Sequence, residues 1–186
     1  MLPPLPPSRL PERLVGTRVV LDRHRVEMAE ELFALVEKDR AHLAENLHWP
    51  DHMLSVDDER DYLRRSVMDW DACQQHNYVM RAPDGEIAGI VGTHNLSWSD
   101  ACGEIGYWIA SWFQGRGMVT EAVRLIEAEM FAIGFHRIEI RCDPDNLKSA
   151  AIPQRLGYRL EGHLREDDWR PPKWRDTLIY AKIAPT

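Results

Sequence analysis

The chain reads as an α/β (α+β) protein in which one mixed, mostly antiparallel sheet of about seven strands is flanked by about four helices. Three observations predict it. Short period-two runs and runs with apolar residues at helical spacing follow one another in the order β-α-α-β-β-β-α-β-α-β-β. Pro-Asp-Gly at 83–85 joins two strand-like runs as a hairpin. In the second half, "QGRG" at 114–117 stands where an apolar strand becomes a helix. A length of 186 residues favours one domain with a real core, and no linker divides the chain. That domain is expected to span residues 18–186, behind a Pro-rich arm at 1–17.

Each element has a local reason. Prolines at 3, 4, 6, 7 and 11 make the first dozen residues extended, an arm lying over its own domain or a partner copy, or a PxxP ligand. "TRVVLDRHR" gives a strand from Arg18 to Arg23, and Met28, Leu32, Leu35 and Val36 place a helix over Val26 to Lys38. Ser55 before "VDDE" caps a second helix running to Gln74. "NYVMRAPDGEIAGIVGTHNLSW" is the hairpin. "CGEIGYWIA" is a further strand whose Gly103 and Gly106 suggest a bulge or a close backbone approach. Val119, Val123, Ile126, Glu127 and Met130 lie on a helix that stops at Gly134. "HRIEIRCD" alternates as a strand, "NLKSAAIPQRLGY" forms a short helix ending at Gly157, and "YRLEGHLRED" and "WRDTLIYAKI" close the chain as strands.

Composition narrows the function classes. Asp plus Glu number 30 against 23 for Lys plus Arg, a formal net charge of −7, which argues against general nucleic-acid binding. No apolar run approaches the roughly 20 residues of a membrane span. The opening "MLPPLPPSRLPERL" lacks the basic and apolar regions of a signal peptide. Cys73, Cys102 and Cys142 are odd in number without a CxxC pair, as in a cytosolic protein with reduced thiols. A cytoplasmic protein with neither nucleic-acid nor membrane partners is therefore expected.

The glycine join carries the chemistry. Residues between a strand and a helix present backbone N–H groups with no intrahelical partner, and the helix dipole behind them favours an anion such as phosphate. Glycine lets that backbone approach closely, Arg116 can lie outward against a phosphate, and Thr120 can add a hydroxyl. An ordinary turn would need a single glycine. A Walker loop would need GK[ST], which is absent. A dinucleotide fingerprint would need a glycine where Thr120 stands and a βαβ unit opening the sheet.

Gln114-x-x-Gly117-x-Val119 after "GYWI" resembles the acetyl-coenzyme A pyrophosphate loop of GNAT N-acyltransferases, Q/R-x-x-G-x-G/A. "NLKSAAIPQRLGY" is similar to the second half of their site, N-x-x-S followed by a Leu-Gly-aromatic ending. The element order matches that fold from Arg18 to Ile183. "GEIGYWI" with "RLGYRLEGHLRE" is most similar to the RimJ/RimL type, which acetylates protein N-terminal amines, and to relatives acting on small amines. Val119 departs from the usual Gly or Ala, which narrows the loop.

The resemblance implies acetyl-CoA as cosubstrate and an amine as acceptor, attacked directly in a ternary complex. Gln114, Gly115, Arg116, Gly117, Met118, Val119 and Thr120 would hold the pyrophosphate. The strand edge at Trp108, Ile109 and Ala110 would pair with the pantetheine arm, with the Ile109 N–H as oxyanion donor. Asn146 would hydrogen-bond the pantetheine; as a residue type it also suits a helix N-cap. Ser149 would protonate the leaving thiolate, because Pro153 stands where many relatives carry a Tyr; water, Tyr158 or an unprotonated departure are the alternatives. Glu104 shares a strand face with Gly106 and Trp108, so its carboxylate is the candidate base for the acceptor amine and part of the acceptor site.

The acceptor side reads less sharply. Trp49, in "ENLHWPDHMLSVDDE", either lines the pocket or is a rigid core aromatic. Trp98, Asp100, Trp169 and Trp174 are further rim candidates. His48 and His52 are four apart, but Pro50 breaks the helix that would align them, so no metal is assigned. Neither Cys102 nor Cys142 has a paired base nearby that would make it a nucleophile. Besides a protein N-terminal amine, the acceptor classes considered are small-molecule amines; a non-catalytic acyl-CoA-sensing domain is the rival outside enzymes. A homodimer is a possible assembly.

Overall fold

The period-two runs hydrogen-bond into one eight-stranded sheet in a computed structural model that describes residues 5–185. The extended reading of Pro3 and Pro4 lies outside the described residues. The strands are β1 (Arg13–Val15), β2 (Val20–Arg23), β3 (His76–Arg81), β4 (Ile87–Ser97), β5 (Cys102–Ile109), β6 (Arg137–Cys142), β7 (Arg159–Arg170) and β8 (Lys173–Ile183). The helices are α1 (Ala29–Ala44), α2 (Val56–Asp71), α3 (Met118–Ala132) and α4 (Leu147–Arg155). Strand order is β1-β2-β3-β4-β5-β6-β8-β7, antiparallel throughout except for β5 and β6.

The strand beyond the expected seven is β1, whose three residues pair from Arg13↔Asp22 to Val15↔Val20 and are too few to show a period. Gly16–Arg18 form the turn into β2, so that strand starts at Val20 rather than Arg18. Helix α1 runs on to Ala44 and α2 ends at Asp71. Ser55 caps α2 as read, its Oγ accepting from the Asp58 N–H. The proline segment lies across its own domain: the Leu5 N–H donates to the Trp98 carbonyl, the Tyr78 hydroxyl donates to the Pro11 carbonyl, and Leu10 is buried.

Alternation on β5 fixes which helix covers which face. A Cβ on Gly103 would meet Met130 of α3, so odd positions face α3. Gly106 pairs with Gly92, which pairs with Asn77, and Asn77 donates to Ser66 of α2; even positions therefore face α1 and α2. The core lies on both faces, with Leu32, Leu63 and Trp70 on the α1/α2 side and Val123, Ile126 and Met130 on the α3 side. Tyr158 is buried in it.

The single parallel pairing positions the site. It runs from Cys102↔Arg137 to Glu104↔Glu139, after which β5 and β6 part. The far halves of both strands, Tyr107–Ile109 and Arg141–Cys142, are left with unpaired edges facing a gap. No helix among the described residues is long and apolar enough to cross a membrane.

Candidate active site

The gap between the parted strands is a cleft of about 1150 Å³. Its walls are the end of β5, the loop into α3, the N-terminus of α4 and the C-terminal turn of α1. Ala110 donates its N–H to the Ala88 carbonyl at 2.8 Å, on the β4 side. Because N–H groups alternate along a strand, the Ile109 N–H points to the opposite edge, into the cleft. Ala110 itself does not line the cleft, since its N–H is used by the sheet and its side chain is fully buried.

The loop from Gln114 to Thr120 lines the cleft as the glycine pattern requires. Gly115 and Gly117 have φ of 75° and 76°, left-handed values that an L side chain rarely adopts, and Gly117 caps α3. Gln114 spans the cleft's mouth: its side-chain amide donates to His42 Nε2 (2.7 Å) and its carbonyl accepts from Lys148 Nζ (2.6 Å). Asp39 fixes the approach to the loop by accepting from the Ser111 N–H and hydroxyl, each at 2.7 Å. Met118 and Val119 line the cleft's floor but bury most of their side chains in the core, so Val119 takes little room from it.

The cation over this loop differs from the one expected. Arg116 turns back, donating to the Trp112 carbonyl (2.8 Å) with its guanidinium over the Phe113 ring. Arg18, from the β1–β2 turn, instead runs across Gly117, where an added Cβ would lie 3.4 Å from its Cδ. Glu121 in the first turn of α3 holds that turn, accepting from the Thr17 N–H (3.0 Å), the Thr17 hydroxyl (2.8 Å) and the Arg18 N–H (2.6 Å). Burial pushes the Glu121 carboxyl up, but these bonds outweigh it and hold its pKa below the ordinary range. Nothing in the sequence pairs Arg18 with Gly117; the sheet brings them together.

On the α4 side, Asn146 serves as N-cap, accepting from the Ser149 N–H at 3.0 Å, while still lining the cleft with Ser149. Tyr107, a residue missed by sequence reasoning, reaches Ser149 from β5. Its hydroxyl donates to the Ser149 carbonyl (3.0 Å) and lies 3.4 Å from Ser149 Oγ. Burial pushes the Tyr107 phenol well above its ordinary pKa, so the proton stays on it. Strand alternation puts Tyr107 on the face opposite Glu104 and Trp108, and nothing local in the sequence pairs it with Ser149.

Glu104 and Trp49 stand outside the cleft's lining. Glu104 sits four residues before Trp108, about 13 Å along the strand, where β5 still pairs with β6. Its carboxylate accepts from Asn95 Nδ2 (3.0 Å) and lies 3.3 Å from His94 Nε2. Burial raises its pKa, yet the bonds to His94 and Asn95 more than offset this, so it is ionised at neutral pH. Trp49, half-buried, stacks on Trp108 at a centroid distance of 5.4 Å, which joins the α1–α2 connection to the cleft's edge. The hairpin β7–β8 closes the same side: Arg170 lines the cleft and donates to the Asn46 carbonyl, and Asp168 lies 3.6 Å from His48. Trp169 and Trp174 at its tip are 47% and 53% exposed, so they are rim rather than core. Trp98, by contrast, packs against Phe135 and the core.

The donor set fits a polyanion. Arg18, Arg124, Arg141, Lys148, Arg155 and Arg170 line the cleft, with Arg116 at its border, against Glu45, Glu121, Asp143 and Asp145, a local excess of cations in a chain of net charge −7. Loop N–H groups, a glycine cradle and an unpaired strand edge complete what a pyrophosphate with an amide-bearing arm would require. The Cys142 thiol also borders the cleft, but burial pushes its pKa up to about 11, which keeps it protonated. Among the described residues no cluster of three or more metal-ligating side chains occurs.

Comparison with known proteins decides the family. The family described as "Acetyltransferase (GNAT) domain" matches residues 18–159. The chain belongs to the GNAT acetyltransferases. It is 28% identical to the ribosomal-protein-serine acetyltransferase of Escherichia coli (strain K12), over 82% of this chain and 85% of that one. It is 32% identical to the putative ribosomal N-acetyltransferase YdaF of Bacillus subtilis (strain 168), over 83% and 85% respectively. Among solved structures, the microcin C7 self-immunity acetyltransferase MccE in complex with acetyl-CoA and AMP superimposes with a TM-score of 0.87 at 27% identity, covering 90% of this chain and 93% of that one. As a GNAT acetyltransferase the protein is an acetyl-CoA-dependent enzyme that transfers an acetyl group to an amine.

Proposed function

We propose that this acetyltransferase modifies protein N-terminal α-amines, with the amine attacking the thioester directly. The observation that carries the reading is the match, over more than four-fifths of the chain, to a ribosomal-protein-serine acetyltransferase and to a protein named as a putative ribosomal N-acetyltransferase. In this reading the Gln114–Thr120 backbone and Arg18 bind the cofactor's phosphates, and the Ile109 N–H stabilises the oxyanion. Glu104 takes the amine proton through water, since its carboxylate is ionised and on the face that Trp108 and Trp49 share. As the C–S bond breaks, Ser149 passes a proton to the thiolate and is reprotonated by the second proton that the nitrogen sheds on becoming an amide. The acceptor enters between the α1–α2 connection and the β7–β8 hairpin.

A second acceptor class, a small amine bearing an aromatic group, is favoured by one feature: Trp169 and Trp174 pack against each other in a tilted pair at 5.2 Å, both half exposed, next to the cleft residue Arg170. The MccE complex contains AMP, whose adenine is such an aromatic group. One assay separates the two. CoA release is measured with acetyl-CoA and peptides whose N-termini are free or blocked, alongside small amines. Turnover confined to free N-termini is the expected result; turnover confined to small amines overturns the peptide reading.

A further inference from the structure

We infer that Tyr107 is the positioning residue for the leaving-group proton donor, and that it holds this role because of Pro153. The inference rests on the proposed role of Ser149. A helical carbonyl at residue i is normally satisfied by the N–H at i+4. For Ser149 that residue is Pro153, which stands inside α4 and has no N–H to give. The Ser149 carbonyl is therefore orphaned within its own helix. It lies against a partly buried wall, where an unmade hydrogen bond is costly. The Tyr107 hydroxyl fills the vacancy at 3.0 Å, reaching across from β5.

Filling it has a chemical consequence. With its proton committed to the Ser149 carbonyl, the Tyr107 oxygen has lone pairs left, and Ser149 Oγ lies 3.4 Å away as a donor to them. That bond is long, hence weak, and is released at little cost when a thiolate develops in the cleft. The Asn146 side chain fixes the same residue from the other side through the Ser149 N–H. Three contacts thus pin the serine that borders the cleft. The proline that stands where a tyrosine acid is usual is also what draws a tyrosine onto Ser149 from the neighbouring strand. Tyr107 is assigned positioning rather than proton donation, because its one proton is committed to the Ser149 carbonyl and it meets Ser149 Oγ as an acceptor.

The test is a set of kinetic variants with one accepted amine. Tyr107→Phe should lower kcat about 10- to 100-fold, as expected for a misplaced catalytic group, with KM for acetyl-CoA little changed. Pro153→Ala alone should stay close to wild type. In the double variant Tyr107→Phe/Pro153→Ala, the restored N–H satisfies the Ser149 carbonyl, so much of the lost kcat should return. In a Ser149→Ala background Tyr107→Phe should cost nothing further, because the two act as a unit. A Tyr107→Phe kcat within twofold of wild type, or a double variant no faster than Tyr107→Phe, overturns the inference. A Ser149→Ala enzyme with wild-type kcat would instead overturn the role of Ser149.

Discussion

The proposed donor half and the proposed acceptor half of this acetyltransferase are built in opposite ways. The donor half has a local frame, Gln114–Thr120 in one loop at one helix N-terminus and Asn146–Ser149 in the first turn of one helix, to which Arg18 and Tyr107 are brought from elsewhere in the chain. The frame's main groups are backbone N–H donors, fixed by φ values and caps rather than by side-chain rotamers. The acceptor half is assembled from three distant segments: Trp49, the start of β5, and the β7–β8 hairpin tip. Its side chains are tryptophans and charged groups, partly exposed. A phosphate-bearing cofactor common to a family suits the first construction. A half that must suit one particular acceptor gains from the second, because distant segments can change without disturbing the loop.

Variants can break this division. The largest effect is expected at Glu104. Glu104→Gln should lower kcat/KM roughly 10²- to 10⁴-fold near neutral pH and leave the Kd for acetyl-CoA unchanged, read by kinetics and calorimetry on the same protein. Gly117→Val should do the reverse, weakening acetyl-CoA binding about 10- to 100-fold, the range of one or two charge-assisted hydrogen bonds. The added side chain would meet Arg18 and would have to adopt a φ of 76°. Unchanged calorimetric affinity in a folded Gly117→Val protein would remove the loop from the cofactor site. Arg18→Gln should cost about tenfold in the same measurement and flatten its salt dependence, whereas Arg116→Gln should change it less, since Arg116 is turned onto Trp112.

The smallest effect concerns stability away from both halves. Glu59 on α2 is 2% exposed, and burial pushes its pKa up to about 7. A carboxyl whose folded pKa exceeds its unfolded one stabilises fully below the unfolded value, and that contribution is lost as pH rises through the folded value. Glu59→Gln should therefore be more stable than wild type above pH 7, by about 1–3 kcal/mol, with the difference vanishing below about pH 4.5. Denaturant titrations at pH 4.5 and pH 8 check this; a pH-independent difference would mean that the ionisation of Glu59 is not its source.

The same division explains what the sequence disclosed. The glycine loop, the Ser55 cap, the Pro-Asp-Gly hairpin and the "NLKS" helix start were legible because each depends on residues within one turn of one another. β1 was not, since three residues carry no period and its pairing with β2 comes from the fold. Arg18 over Gly117 and Tyr107 on Ser149 were hidden for the same reason: 99 and 42 positions separate the partners along the chain. Arg116 lines the cleft as its place between the glycines predicts, but its guanidinium rests on the Trp112 carbonyl and the Phe113 ring, contacts that the sequence pattern does not show. Ala110 was placed on the cofactor edge one residue too far, where alternation turns its N–H into the sheet.

The most direct test of the account is the pH–rate profile of wild type and Glu104→Gln with one peptide whose α-amine pKa is known. With Glu104 held ionised by His94 and Asn95, wild-type kcat/KM should fall little between pH 8 and pH 6. Glu104→Gln must wait for amine that arrives already neutral, so its rate should rise about tenfold per pH unit until the α-amine pKa near 8. The deficit should therefore shrink about 100-fold from pH 6 to pH 8. Parallel profiles, with a constant deficit at every pH, would contradict the assignment of Glu104 as the base.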